Sequence, residues 1–267
     1  MKKSNYKIPE KIYIGLILLM FYIPIFVTIV FSFNSSKSLS NLSGFSFKWY
    51  KELFLNPVLV QAMAVTFIIA LVSSIISTFI GTLGAISLKR YKLKMQKAVL
   101  MLNNIPIVSP EIITAISLFL LFGAFMIPFG YTTLIMAHVA FSTPYVIVAV
   151  WPKVKELDEN LINAAYDLGA NHFQALYKVV LPQIKGGIIS GFMIAFAMSF
   201  DDFVISYFAV GSSGISNISI YLYTLKRGLN PSINALSTII VLIVFIKVTY
   251  DYFKKSTKDK VRKVVRK

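Results

Sequence analysis

Apolar residues along this chain come in long unbroken runs, and short polar stretches separate them. Six runs approach or exceed the roughly 20 residues that a membrane-crossing helix needs. They cover about 12–33, 62–88, 98–124, 132–151, 186–210 and 233–253, and they predict an all-α membrane protein with six transmembrane helices. The first run follows Lys2, Lys3, Lys7 and Lys11 and ends in FSFNSS. It is longer than the roughly 7–15 apolar residues of a signal peptide, so it reads as an uncleaved span, with a kink expected at Pro24. Residues 34–61 are polar and turn-rich, with Trp49 and Tyr50 expected as interfacial anchors. The third run is interrupted by Asn103, Asn104, Pro106, Ser109 and Pro110, which predicts a broken helix just before Glu111. Pro144 lies inside the fourth run and Pro152 is expected to close it. A loop with Gly211, Gly214, Gly228 and Pro231 precedes the last run, and the basic segment 254–267 is expected to lack fixed structure.

The longest water-compatible segment between runs is 153–185, and its pattern predicts two short helices. Asp158 can cap the first, whose apolar positions Leu161, Ile162, Ala165 and Leu168 recur at helical spacing. Gly169 suits the left-handed residue that ends a helix, and Asn171 can cap the next one. Phe173, Leu176, Tyr177 and Val180 form a second stripe, which Pro182 is expected to stop. Such a knob suits docking into a groove on another protein, and it equally suits an ordinary interfacial loop.

Composition agrees with the class. Hydrophobic residues make up 57% of the chain and charged residues 14%, against about 25% charged in soluble domains. Cysteine is absent, which removes disulfides, thiolate metal sites and thiol nucleophiles. His138 and His172 are far apart and show no metal-ligand spacing, so neither a metal nor another cofactor is expected.

The net charge of +16 is distributed unevenly. With six spans, both termini share a side with the 89–97 loop and the 153–185 segment, and 21 of the 27 basic residues fall there. The opposite loops hold five: Lys37, Lys48, Lys51, Lys226 and Arg227. The positive-inside rule therefore predicts cytoplasmic termini and a cytoplasmic 153–185 segment. Attraction to anionic lipid headgroups accounts for the basic tail, and no nucleic-acid partner is needed.

Three acids fall within apolar runs: Glu111, Asp201 and Asp202. An ionised carboxylate costs about 2.5–3.5 kcal/mol at the centre of a membrane helix, so each must face water, protein or a partner such as Lys247. Two or three carboxylates together favour a cation, and nearby aromatic rings would suit an alkyl-ammonium group. A proton relay fits the same acids. No G-x-x-x-x-G-K-[ST] phosphate loop and no G-x-S-x-G nucleophile context occur, so the chain is not expected to be an enzyme. If ATP drives it, another subunit binds the nucleotide.

Asn163-Ala164-Ala165, Gly169-Ala170 and Leu181-Pro182 resemble the EAA motif of bacterial ABC importer permeases of the binding-protein-dependent, type I (MetI-like) family. The order of spans is similar to that fold as well. The segments FSFKWYKELF, SPEIITAISLFLLF, SFDDFVISYFAVG and LNPSINALSTI resemble the spermidine/putrescine branch. The resemblance implies coupling helices at 158–182 that dock on an ATPase subunit present in two copies. It also implies a homologous sister permease, an extracytoplasmic polyamine-binding protein and a place in the bacterial inner membrane. It divides the chain into a first span with its external loop (1–61), a permease core (62–253) and a basic tail (254–267). Glu111, Asp201 and Asp202 are then candidates for the cation path. The motif's leading residue is usually glutamate, and Asn163 replaces it here. An ABC permease for another cation and a proton-coupled carrier are the alternative expectations.

Overall fold

The structure is a computed structural model that describes residues 8–38, 41–225 and 231–265. The expectations for Lys2, Lys3, Lys7, Lys226, Arg227 and Gly228 fall outside those residues. The described chain is helical apart from turns and one isolated bridge, Asn34 with Phe45. Among the described residues, four stretches are long and apolar enough to cross a membrane: Ile12–Ser32, Pro57–Leu88, Tyr131–Lys155 and His172–Asp201. A fifth is the pair Leu93–Val108 and Glu111–Ala124, bent by 100° at its break, and Pro231–Lys247 is a shorter apolar helix.

The chain divides into two compact units, residues 61–224 and residues 1–60 with 225–267. The second unit contains α1 (Ile8–Ser32), α2 (Lys48–Leu55) and α12 (Pro231–Val265). Here α2 was not foreseen, and its Trp49 corrects an expectation. That ring is fully buried and donates to the Asn34 carbonyl, so it packs a protein interior and does not anchor at an interface. The Asn34 side chain holds the turn around it, donating to the Ser38 and Asn41 carbonyls and accepting from the Ser43 amide. Helix α12 runs on through Val265, so the described part of the basic tail, 254–265, is helical and not structureless. Neither glycine nor proline follows Pro231, and Lys and Arg are good helix formers.

The larger unit begins within α3 (Pro57–Leu88) and continues through α4 (Leu93–Val108), α5 (Glu111–Ala124) and α6 (Tyr131–Lys155). The short helices α7 (Glu159–Asp167) and α8 (His172–Ala175) come next, followed by a π-helical turn, Leu176–Val180. Then come α9 (Leu181–Asp201), α10 (Val204–Val210) and α11 (Ile218–Thr224). Small residues let the spans of this unit approach closely. A Cβ on Gly81 would sit 2.7 Å from Val146 Cγ1, and one on Gly191 would sit 3.1 Å from the same atom. Val146, fully buried on α6, is thus held between glycines of α3 and α9. Gly81→Ala is expected to cost about 1–3 kcal/mol through overpacking, read as a lower melting temperature of the purified permease. Adding Val146→Ala should recover much of the loss; no recovery would count against this contact.

Two prolines do not end helices as the sequence suggested. Helix α6 continues through Pro152 to Lys155, and the chain is helical without a stop from His172 past Pro182 to Asp201. At Pro182 the reason lies just upstream. The π-helical turn widens the ladder, so that the Leu181 N–H bonds to the Leu176 carbonyl five residues back, and this re-registration accommodates the ring and its missing N–H. In the turn before Pro144, the Ser142 and Thr143 hydroxyls bond the His138 and Val139 carbonyls. Hydroxyls of this kind help membrane helices to carry proline.

Candidate functional site

Two features of the larger unit lie at opposite ends of one helical run. The run covers His172–Asp201, 30 residues, which at 1.5 Å per residue is about 45 Å. At its N-terminal end lies the knob, at its C-terminal end the acids.

The knob has the caps and the glycine turn that its sequence predicts, although its second helix runs on into the span. The Asp158 carboxylate accepts from the Asn160 amide and caps α7. Gly169 sits at φ +81°, where only a residue without Cβ is unstrained. The Gly169 N–H bonds to the Tyr166 carbonyl and the Ala170 N–H to that of Ala165, the bond pair of a Schellman motif. Asn171 and Gln174 exchange side-chain and backbone hydrogen bonds in a capping box at the start of α8. Ile162, Leu176 and Val180 face inward against Val154, Leu157 and Ile184, which fixes the knob to α6 and α9. Its outer surface is left uncovered. Leu168 is 89% exposed, Phe173 83% and Tyr177 73%. Among the motif residues, Asn163, Ala164, Gly169 and Pro182 are exposed, and Ala165, Ala170 and Leu181 are half-buried. Apolar side chains this bare mark a surface that a protein partner or lipid would cover.

The other end of the run is a break. Helix α9 stops at Asp201, Asp202 is extended at ψ 131°, and α10 starts at Val204. The Asp202 carboxylate accepts from the Ile205 amide (3.1 Å), the Ser206 amide (2.7 Å) and the Ser206 hydroxyl (2.8 Å). It therefore caps the resumed helix. His138, fully buried on α6, lies with Nε2 2.9 Å from Ser206 Oγ and 3.5 Å from Asp202 Oδ2. Its Nδ1 is 2.6 Å from Ser199 Oγ, which is 3.0 Å from Ser73 Oγ on α3. Asn217 donates to the Asp202 carbonyl and to Ser206 Oγ. Asp202, His138, Ser206, Ser199, Ser73 and Asn217 thus form one buried polar network across α3, α6, α9, α10 and the start of α11. Asp202→Ala would strand two buried amide donors, at about 1–3 kcal/mol each, so the yield of folded permease is expected to fall. Asp202→Asn keeps one acceptor oxygen and should be milder. Equal yields from both variants would contradict the capping role.

Glu111 sits at the other break, where pre-proline Ser109 is extended and Pro110 opens α5. Helix α5 packs on α10 and α6. This brings Glu111, at the start of α5, into the neighbourhood of the Asp201–Asp202 break, where the carboxyl groups feel one another's charge. The three acids singled out from sequence therefore share one region of the fold, in different settings. Glu111 and Asp201 are exposed; Asp202 is buried, 5% exposed. Beside them is a group of rings not picked out from sequence. Phe203 lies 4.7 Å from Tyr223 and 5.5 Å from Tyr207 between ring centroids, and both tyrosines are open to the outside. The available signal was the i,i+4 spacing of Phe203 and Tyr207 immediately after the acids. Carboxylates next to open aromatic faces can hold a cation with an apolar stem. Among the described residues no group of three or more acid, histidine or cysteine side chains is arranged to hold a metal ion.

Known proteins resemble this chain in sequence and in fold. The family of binding-protein-dependent transport system inner membrane components matches residues 77–259. The spermidine/putrescine transport system permease protein PotC of Escherichia coli (strain K12) is 38% identical over 228 residues, 85% of this chain and 86% of that protein. The putrescine transport system permease protein PotI of the same organism is 32% identical, over 92% of this chain and 90% of its own. In a crystal structure of a bacterial ABC transporter involved in the import of the acidic polysaccharide alginate, one chain superposes with a TM-score of 0.65. It is 15% identical and covers 94% of this chain and 98% of its own.

Proposed function

We propose that this chain, which belongs to the family of binding-protein-dependent transport system inner membrane components, is the polyamine-conducting permease subunit of an ATP-driven importer. Its fold is that of type I ABC importer permeases, and it is a multi-pass inner-membrane transport subunit rather than an enzyme. The observation that supports the polyamine reading is the packing of α5, which starts at Glu111, on α10, next to the Asp201–Asp202 break and the Phe203, Tyr207 and Tyr223 rings. A polyamine is a chain of ammonium groups joined by short alkyl segments, and such a site offers both of its contacts. Glu111 and Asp201 meet the solute, while Asp202 adds its charge from beneath and holds the break in place. The relatives named as spermidine/putrescine and putrescine permeases support the same solute class.

The basic-residue distribution puts both termini and the knob in the cytoplasm. There the EAA-like surface of Asn163, Ala164, Ala165, Gly169, Ala170, Leu181 and Pro182 docks on one of two ATPase subunits. A homologous sister permease completes the pathway, and an extracytoplasmic binding protein delivers the solute. Closure of the ATPases displaces the knob, and the helix from His172 to Asp201 carries that displacement to the break beside the acids. A rigid rod with a broken end suits alternating access, because movement concentrates where the backbone is already interrupted. The test is ATPase activity of the reconstituted complex with its binding protein. Spermidine is expected to stimulate it; stimulation by another cation but not by spermidine or putrescine would overturn the solute assignment.

A further inference from the structure

Where the loop after α3 meets the knob, the larger unit has a second polar feature. A cavity of about 280 Å³ is lined by Lys89, Arg90, Glu159, Asn163, Tyr166 and His172, over an apolar floor that includes Ile86 and Leu176. Its walls are held in place. Lys89 Nζ donates to the Leu157 carbonyl at 2.9 Å and lies 3.4 Å from Glu159. The Tyr166 hydroxyl is 2.9 Å from His172 Nδ1, with the two rings edge to face. Lys89 is therefore already spent on partners within the chain. The exposed Arg90 guanidinium is not: it makes no ion pair or hydrogen bond among the described residues. With two cations and one carboxylate, the lining has one unit of positive charge left over. Asn163, at the position where the motif usually has glutamate, supplies no charge to cancel it.

We propose that this cavity receives a carboxylate side chain of the ATPase subunit, which pairs with Arg90. The proposal rests on the docking of the knob described above and adds to it the chemistry of one contact. The remaining charge fits a single carboxylate and not a multiply charged anion, which Glu159 would repel. The volume lies at or below the small end of ligand pockets, about 300–1,000 Å³, and is right for one inserted side chain. The setting calls for protein, because the bare side chains of Leu168 and Phe173 on the same knob need an apolar cover that a free anion does not bring. Arg suits the role because its planar fork binds a carboxylate through two parallel hydrogen bonds.

The experiment uses the complete importer in lipid nanodiscs, with ATPase-subunit affinity measured at several salt concentrations. Arg90→Gln is expected to weaken that affinity about tenfold or more and to flatten its salt dependence. Asn163→Glu is expected to weaken it as well, by filling the cavity from within the chain. Arg90→Lys supplies an amine for a zero-length carbodiimide cross-link, which should join position 90 to an aspartate or glutamate of the ATPase. Leu168→Asp serves as the separate check on docking. If it disrupts the complex while Arg90→Gln binds normally and the cross-link fails, the carboxylate contact is wrong and docking stands. If Leu168→Asp also leaves the affinity unchanged, the docking reading fails and the proposal falls with it.

Discussion

Glu111→Gln combined with Asp201→Asn is expected to leave a correctly assembled importer that takes up spermidine at least ten times more slowly than the parent. Both side chains are exposed and neither caps a helix, so their loss should not disturb folding. Each removes a charged contact with a cation, and contacts to charged groups are worth about 1.5–3 kcal/mol. Each step of about 1.4 kcal/mol is a factor of ten. The loss should appear in solute flux and not in ATPase-subunit binding, because the acids lie about 45 Å from the knob along the helix. Labelled spermidine uptake into proteoliposomes, with a parallel measure of subunit stoichiometry, checks this. Uptake within a factor of two of the parent would remove Glu111 and Asp201 from the path. Loss of assembly would make them structural.

The second large effect belongs to Gly169. At φ +81° a β-branched residue is strained whatever space surrounds it, and no neighbouring atom would block a Cβ there. Gly169→Val should therefore act through the backbone alone, opening the Schellman turn and changing the angle between α7 and α8. The knob would present Leu168 and Phe173 in the wrong relation, and retention of the ATPase subunit on the purified permease is expected to fall by tenfold or more. The acids at the far end should keep their arrangement. A stable complex with normal spermidine-stimulated ATPase activity would show that the shape of the knob does not govern docking.

Much of this architecture was legible in the residues, and the parts that were not share a cause. Asp158, Gly169 and Asn171 could be placed at helix ends because capping and a left-handed turn are local demands, met within three or four residues. The break before Glu111 was legible for the same reason, with Pro110 forcing Ser109 out of the helical region. Trp49, by contrast, looks interfacial beside Tyr50. It is buried because Asn34 and α12 meet α2 from distant parts of the sequence. No proline or glycine in SFDDFVIS marks the break at Asp202, and the one local signal is Asp202 itself, a residue suited to capping. The interruption is stabilised by His138 and Asn217, 64 residues before and 15 residues after. Pro182 misled in the opposite direction, because a π-helical turn absorbs a proline that a regular α-helix could not. Asp201 and Asp202 illustrate the limit well. Adjacent residues of a helix point about 100° apart, and only packing decides that Asp201 is open and Asp202 is spent on a cap.

If this chain conducts polyamines while ATP is hydrolysed on a partner subunit, spermidine accumulation in vesicles should show it. Proteoliposomes carrying the complete importer are given binding protein and labelled spermidine outside, with or without ATP within and with or without an imposed proton gradient. Accumulation that requires both ATP and binding protein, and that ignores the proton gradient, is the predicted result. Accumulation driven by the proton gradient without ATP, or none of spermidine while another cation is imported, would contradict it.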